Sequence, residues 1–252
     1  MKNLVDLHTH ILPGLDDGAG DLEDSLRMAR LAVASGVRCV AATPHSCGSN
    51  GFDTALAKTV LHCTSLLQKK LDEEGIPLVL VPGMEILADE GMAELLREGE
   101  LLPYAETNYV LVEFRFDEDP ARTFGLLEEL TNAGYVPVVA HPERYPFVQR
   151  ETDLAEDWVH QGCLLQVNQG SLTGSFGMEA ALCARQLLSR GLVAAVASDA
   201  HSPQHRSTDL RPAVQWMEQM RVPAATAKLL LSENPLRILQ GKAPAEAAPL
   251  LL

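Results

Sequence analysis

The sequence predicts an α/β fold in which short strands alternate with helices and close, or nearly close, into a (β/α) barrel. Two observations carry this. Seven short, mostly apolar runs recur along the 252 residues, each followed by a helix or a loop. Most are continuous rather than alternating, as in parallel strands covered on both faces. An open doubly wound sheet uses the same alternation and is the second architecture. No linker is long or polar enough to divide the chain, so residues 1–252 read as one domain, with a loose Ala/Pro-rich tail from Lys242.

The first strand runs from Leu4 to Ile11. Side chains alternate along a strand, so Asp6, His8 and His10 share one face and Val5 and Leu7 the other. The run breaks at Pro13-Gly14 and leads to Asp16-Asp17, adjacent acids of which one is expected to point inward. Asp21 caps a helix with the stripe Leu22, Leu26, Ala29 and Val33, ended by Gly36. The second strand, Val37 to Thr43, runs into Pro44-His45. A polar loop, Ser46 to Gly51, precedes Asp53, which caps a long helix with Leu56, Val60, Cys63, Leu67 and Leu71 on one side. Gly75 and Pro77 close that helix. The third strand is the buried run Leu78 to Val81, ending in Pro82-Gly83-Met84-Glu85.

A short helix lies near Asp89 to Glu98, and the strand Tyr109 to Val112 ends in Glu113. Asp119-Pro120 opens a helix to Ala133, stopped by Gly134. The strand Val136 to Ala140 ends in His141-Pro142-Glu143-Arg144. A helix from Ala155 to His160 leads to the strand Cys163 to Val167, then Asn168. Helix Gly177 to Arg190 precedes the strand Leu192 to Ala197, which ends in Ser198-Asp199-Ala200-His201. Two helices, Thr208 to Met220 and Pro223 to Leu231, precede Asn234-Pro235.

Composition narrows the function. Hydrophobic residues make up 46% of the chain, enough for a large core, and the net charge is −14. That charge argues against nonspecific binding to nucleic acid or anionic membrane. No apolar run approaches the roughly 18 residues of a membrane span. The N-terminus carries acidic and histidine residues where a secretory signal would be apolar. The five cysteines form no C-x-x-C pair and read as reduced thiols of a cytoplasmic protein. A Cys-x5-Arg phosphate loop, a G-x-S-x-G elbow, a P-loop and a G-x-G-x-x-G turn are all absent.

The polar residues at the strand ends point to a metal centre. His8 and His10 close the first strand and His45 follows the second. Glu85 follows the third, Glu113 the fourth and His141 the fifth; Asp199 and His201 follow the last. In barrels the carboxyl ends of the strands form the active face. One His-x-His alone is explained by a solvated strand end. A ring of such residues is not, because its carboxylates would repel one another without cations. The set exceeds the needs of one ion and suits two or three, with a bridging carboxylate such as Glu85. Imidazole and carboxylate without thiolate favour Mn, Fe, Zn or Co over a structural zinc site. Closely spaced metals suit in-line displacement at phosphorus, and Arg144 and Arg206, just beyond ligand motifs, suit a phosphate group. Three divalent ions with these arginines would outweigh Asp17, Glu85, Glu113 and Asp199, giving a positive pocket in an acidic protein. Asp6 is expected to orient a histidine. Glu90 and Glu143 are expected to be solvated, His62 and His160 to serve at the surface or in packing, and Trp158 and Trp216 to lie in the core.

These residues resemble the PHP (polymerase and histidinol phosphatase) superfamily. The resemblance rests on D-x-H-x-H, Thr43-Pro44-His45, Gly83-Met84-Glu85, Val112-Glu113, His141-Pro142-Glu143-Arg144 and Ser198-Asp199-Ala200-His201. The longer stretch from His8 to Ala19, with Asp16-Asp17-Gly18, is similar to bacterial manganese-dependent tyrosine-protein phosphatases of capsule and exopolysaccharide systems. The resemblance covers essentially the whole chain. It implies a distorted (β/α)7 barrel with three metal ions, manganese foremost. By resemblance, His8, His10, Glu85 and Asp199 hold one ion, Glu85, Glu113 and His141 a second, and Asp17, His45 and His201 a third. Arg144 and Arg206 bind phosphate, and with His201 they form the catalytic set. The reaction expected is phosphotyrosine hydrolysis without a covalent intermediate, a metal-bridging hydroxide attacking in line. The expected substrate is the tyrosine-rich tail of a membrane-linked bacterial tyrosine kinase. Histidinol-phosphate or other small-molecule phosphoesterase activity is the first alternative, and a catalytically silent metal-binding regulatory module the second. The segment Ser46 to Phe52 and the stretch after Glu113 are rim segments of the kind that set substrate choice.

Overall fold

The computed structural model describes residues 1–48, 51–52 and 56–252. Asp53, expected to cap the second helix, lies outside them. Ten strands are present among the described residues: β1 (Leu4–Thr9), β2 (Val37–Ala42), β3 (Cys47–Gly48), β4 (Gly51–Phe52), β5 (Val79–Pro82), β6 (Glu85–Leu87), β7 (Tyr109–Glu113), β8 (Val136–Ala140), β9 (Leu164–Asn168) and β10 (Val193–Ala197). β3 and β4 form a small antiparallel hairpin where a loop was expected.

The other eight strands form two parallel sheets, ordered β1-β2-β5 and β10-β9-β8-β7-β6. The third expected strand is thus two pieces. β5 pairs with β2, the chain turns through Gly83-Met84, and β6 pairs with β7. Isolated bridges join the sheets at two seams, Thr9 to Ala200 and His45 to Glu85. The result is a distorted seven-unit barrel whose third stave is broken. β5 is also less buried than its apolar run predicted, with Val79 56% exposed.

Helices cover the barrel: α1 (Leu22–Ser35), α2 (Leu56–Glu73), α3 (Met92–Glu98), α4 (Pro120–Asn132), α5 (Pro146–Arg150), α6 (Asp153–His160), α7 (Gln169–Leu172), α8 (Met178–Ser189), α9 (Arg211–Gln219), α10 (Ala224–Lys228) and α11 (Asn234–Leu239). Asp21 caps α1, accepting from Asp24 N–H at 2.9 Å, and Gly36 ends it in the left-handed conformation at φ 99°. The buried face of α1 is rotated from the expected stripe. Leu22 is 43% exposed, while Met28 and Ala32 are buried beside Leu26 and Ala29. Asp119 caps α4 as expected, accepting from Ala121 N–H. A π-helical turn, Leu229–Glu233, carries the chain from α10 into α11, so Asn234-Pro235 opens a helix instead of following the last one.

Trp158 is buried and donates from Nε1 to Thr123 Oγ1 at 3.1 Å, and Trp216 packs at the edge of the main cluster. Val5 and Leu7 join a second apolar cluster with Ile238 and Leu239, leaving His8 and His10 for the opposite side. The tail expected to be loose has partners. Asn234 Nδ2 donates to Ala194 and Ala245 carbonyls, Ala245 N–H returns to Asn234 Oδ1, and Leu250 N–H reaches Ser189 O at 2.9 Å.

A candidate metal centre at the carboxyl rim

The strand ends deliver the expected residues to one place. His8 lies in β1 and His10 just beyond it, His45 follows β2, and Glu85 opens β6. Glu113 ends β7, His141 follows β8, and Asp199 and His201 follow β10. The β1–β10 seam is fixed by Asp199 N–H to His8 O at 2.9 Å and His10 N–H to Ala200 O at 2.8 Å. The β2–β6 seam is fixed by Ser46 N–H to Glu85 O and Glu85 N–H to Pro44 O. Three residues at the site hold left-handed backbone without being glycine: His141 at φ 37°, Asp199 at 52° and Arg206 at 50°. Such conformations carry strain and concentrate at functional sites.

Glu85 is the hub. Its Oε2 lies 3.1 Å from His8 Nε2, 3.3 Å from His10 Nε2 and 3.1 Å from His45 Nδ1, and its Oε1 lies 2.9 Å from His141 Nε2. Asp199 Oδ1 lies 3.4 Å from His8 Nε2 and 3.6 Å from His10 Nε2. Glu113 Oε1 lies 3.0 Å from His45 Nδ1. Asp17 Oδ1 lies 3.5 Å from His45 Nε2 and 3.3 Å from His201 Nε2. Among the described residues, three sets have ligand atoms within 4.8 Å of one another: His10, Asp17, His45 and His201; His8, His10 and Glu85; and His45, Glu85 and Glu113. These overlap the expected grouping but differ from it: His10 also joins the third set, His45 takes the place of His141 in the second, and Asp199, expected in the first, falls outside the three sets.

The electrostatics fit cations. Burial opposes charge on every member, yet carboxylates raise His8, His10 and His45, and Glu85 and Asp199 are held ionised in return. Glu85 and Asp199 are kept well below the usual carboxylate range by the histidines. Burial would discharge His10 and His45, but hydrogen bonds to carboxylates raise both, His45 to about 10. Without metal, the pocket recruits protons to balance its carboxylates. His8 Nε2 and His10 Nε2 face each other at 3.2 Å, an arrangement suited to two lone pairs on a shared cation. His201 behaves oppositely: burial and the neighbouring His10 lower it to about 4. Its Nδ1 lies 3.0 Å from the Asp199 carbonyl, which fixes that nitrogen as the donor and leaves the Nε2 lone pair beside Asp17 Oδ1, two acceptors placed to share a cation.

Arg144 Nη1 lies 3.2 Å from Asp199 Oδ2, and Arg206 pairs with the same oxygen. Both arginines are partly exposed, so the remaining donors of each fork can face a bound anion.

Asp16 and Asp17 both engage, where one was expected to do so. Asp16 Oδ2 lies 2.7 Å from His10 Nδ1 and accepts His45 N–H, while its Oδ1 accepts Gly18 N–H. Although burial works against its charge, the His10 hydrogen bond lowers Asp16 to about 2. Asp6 does not orient a histidine ring. Its Oδ1 accepts the Ser198 and His8 backbone N–H groups, and burial raises it to about 6. Glu143 is buried, not solvated: Oε1 accepts from Asn168 N–H and Ser171 Oγ. His62 and His160 are exposed, as expected.

Gln166 and Asn168, on β9, were missed as site residues. Gln166 Oε1 lies 2.9 Å from His8 Nδ1, Gln166 Nε2 donates to Asn168 Oδ1 at 2.8 Å, and Asn168 Nδ2 donates to Asp199 Oδ2 at 2.6 Å. This relay orients a histidine and a carboxylate at once. The available signal was two polar residues at period two within an apolar strand.

Residues 4–240 match the family described as capsular polysaccharide synthesis, CpsB/CapC. The tyrosine-protein phosphatase YwqE of Bacillus subtilis is 38% identical over 216 residues, 86% of this chain and 84% of that protein. The tyrosine-protein phosphatase CpsB of Streptococcus pneumoniae is 27% identical over 244 residues, 94% of this chain and 98% of that protein. A chain from the crystal structures of these two proteins, described as unique metal-dependent tyrosine phosphatases, superposes with a TM-score of 0.90 at 34% identity. It covers 99% of this chain and 100% of that one. A TatD-like protein of Archaeoglobus fulgidus, 13% identical with a TM-score of 0.55, shares the fold.

Proposed function

The chain belongs to the CpsB/CapC family of capsular polysaccharide synthesis, and from that premise we propose that it is a metal-dependent tyrosine-protein phosphatase. The observation that carries this is the convergence of His8, His10, His45, His141 and His201 on Glu85, Glu113, Asp17 and Asp199 at the barrel rim, beside two arginines. The names of the relatives above support the same activity. The proposal takes the chain as one phosphatase domain and extends to three divalent ions held by these residues. Manganese is the first choice by the family resemblance; imidazole and carboxylate without thiolate suit Mn, Fe, Zn or Co alike.

When bound, the ions supply Lewis acidity that polarises phosphoryl oxygens and makes water a competent nucleophile near neutral pH. Arg144 and Arg206 bind the nonbridging oxygens with the donors Asp199 leaves free, stabilising charge that grows in the transition state. Asp199 holds both forks in place. His201 stays neutral near pH 7, with the Nε2 lone pair turned into the site. A tyrosyl leaving group, with a pKa of about 10, needs less protonation than an alkyl alcohol.

The substrate in this reading is a phosphotyrosine protein, in particular the tail of a membrane-linked bacterial tyrosine kinase, and the reaction regulates capsule or exopolysaccharide synthesis from the cytoplasm. The test compares phosphotyrosyl peptide with histidinol phosphate in the presence of manganese. Turnover of the peptide, lost in folded H141A and D199A variants, is the expected result. Efficient turnover of histidinol phosphate alone overturns the proposal.

A further inference from the structure

Two phenylalanines stand at the arginines and have no part in the chemistry above. Phe116, three residues past the end of β7, is 48% exposed. Phe176, between α7 and α8, is half-buried. The Arg144 guanidinium lies 4.5 Å from the Phe176 ring centre and 5.3 Å from that of Phe116, and the Arg206 guanidinium lies 5.4 Å from Phe176.

Both rings are seated by the fold. Phe116 lies parallel to His141, 5° between planes at 6.5 Å, and meets Tyr145 edge-on at 5.8 Å. Phe176 rests against Gly170 of α7, where a Cβ would come within 2.6 Å of the ring, so the glycine makes the seat. Aromatic surface is therefore held against the two groups assigned to the phosphate. In a phosphotyrosyl ester the ring is bonded directly to the bridging oxygen, so it must emerge beside those groups. A phosphoseryl ester presents only a methylene there.

We propose that Phe116 and Phe176 form an aryl subsite that takes the ring of the leaving tyrosyl group and gives the site its preference for aryl over alkyl phosphoesters. This rests on the tyrosine-phosphatase reading. Aromatic pairs with centres 4.5–7 Å apart contribute beyond simple burial, which corresponds to about 10-fold in affinity. A purely positioning role, in which the rings steady Arg144 by cation–π contact, makes a different prediction: loss of a ring would weaken every phosphate ligand alike.

Phenylphosphonate, methylphosphonate and inorganic phosphate separate the two. They are not hydrolysed, so their binding to the manganese-loaded protein by calorimetry is read whether or not the chain turns over phosphotyrosine. Wild type is expected to bind phenylphosphonate about 10-fold more tightly than methylphosphonate. F116L and F176L should each reduce that ratio and leave methylphosphonate and phosphate affinities unchanged. G170A, which pushes the Phe176 ring off its seat, should reproduce the F176L pattern with both phenylalanines present. Equal weakening of all three ligands, no wild-type preference, or no phenylphosphonate binding overturns the subsite. Failure to hydrolyse phosphotyrosyl peptide overturns the phosphatase reading instead.

Discussion

Glu85 shows how much one residue at this site does. A single buried carboxylate touches four imidazoles, three through Oε2 and one through Oε1. Glu85→Gln keeps the size and removes the charge. Metal content by mass spectrometry is expected to fall and peptide turnover to drop by more than the roughly 10–100-fold that loss of an orienting partner costs, with the far-ultraviolet circular dichroism unchanged. Gln166 is such a partner. Gln166→Leu leaves His8 Nδ1 and Asn168 Oδ1 without their mates and should weaken manganese binding by about 10–100-fold in titration. Gln166→Glu restores an acceptor for His8 but not the donor to Asn168, so partial rescue is expected; no difference between the two variants would refute a positioning role. Most histidines and acids of the ring were legible because they stand at or within a few residues of the end of an apolar run. Gln166 was not, and the roles of Asp16 and Asp17 could not be told apart, because an orienting residue is defined by what it touches across the barrel. Glu143 was misread for the same reason: only the fold brings Asn168 and Ser171 to its carboxylate.

At the scale of elements, the turn after β1 is as constrained as the strand. Gly18 packs so closely on His10 that an added Cβ would lie 2.1 Å from the His10 carbonyl oxygen and 2.9 Å from Asp16 Oδ1. Ala19 N–H returns to that same carbonyl. Gly18→Ala must move the turn, and with it the Asp16–His10 pair. A loss of about 1–3 kcal/mol in denaturant unfolding is expected for such overpacking, together with reduced metal content. Unchanged stability would show that the turn gives way freely. Strands and caps were readable here because continuous apolar runs, Asp21, Gly36 and Asp119 act locally. The break between β5 and β6 was not, since Pro82-Gly83 reads equally as the end of a strand or as a bend within one. The π-helical turn before Asn234-Pro235 hid in the same way, because a proline that can end a helix can also open the next.

The whole molecule is a barrel made of two sheets, and the candidate ligands sit across both places where the sheets meet. His8 and His10 face Asp199 over the β1–β10 seam, and His45 faces Glu85 over the β2–β6 seam. Bound cations would staple these seams, while in their absence protons on the histidines must offset the carboxylates. With ions bound, the site would be both a structural element of this acidic protein, of net charge −14, and a source of local positive charge. Metal that binds only the folded chain stabilises it by about 2.7 kcal/mol at 100 times its Kd, which for a domain of this size is roughly 5–10 °C in Tm. Chelation is expected to lower Tm by that amount. The loss should be uneven: hydrogen exchange should quicken first at the seam amides of Asp199, His10, Ser46 and Glu85, before the interior of the β7–β8–β9 sheet. Exchange that quickens uniformly, or a Tm indifferent to chelator, would mean that the two sheets hold together without help from the rim.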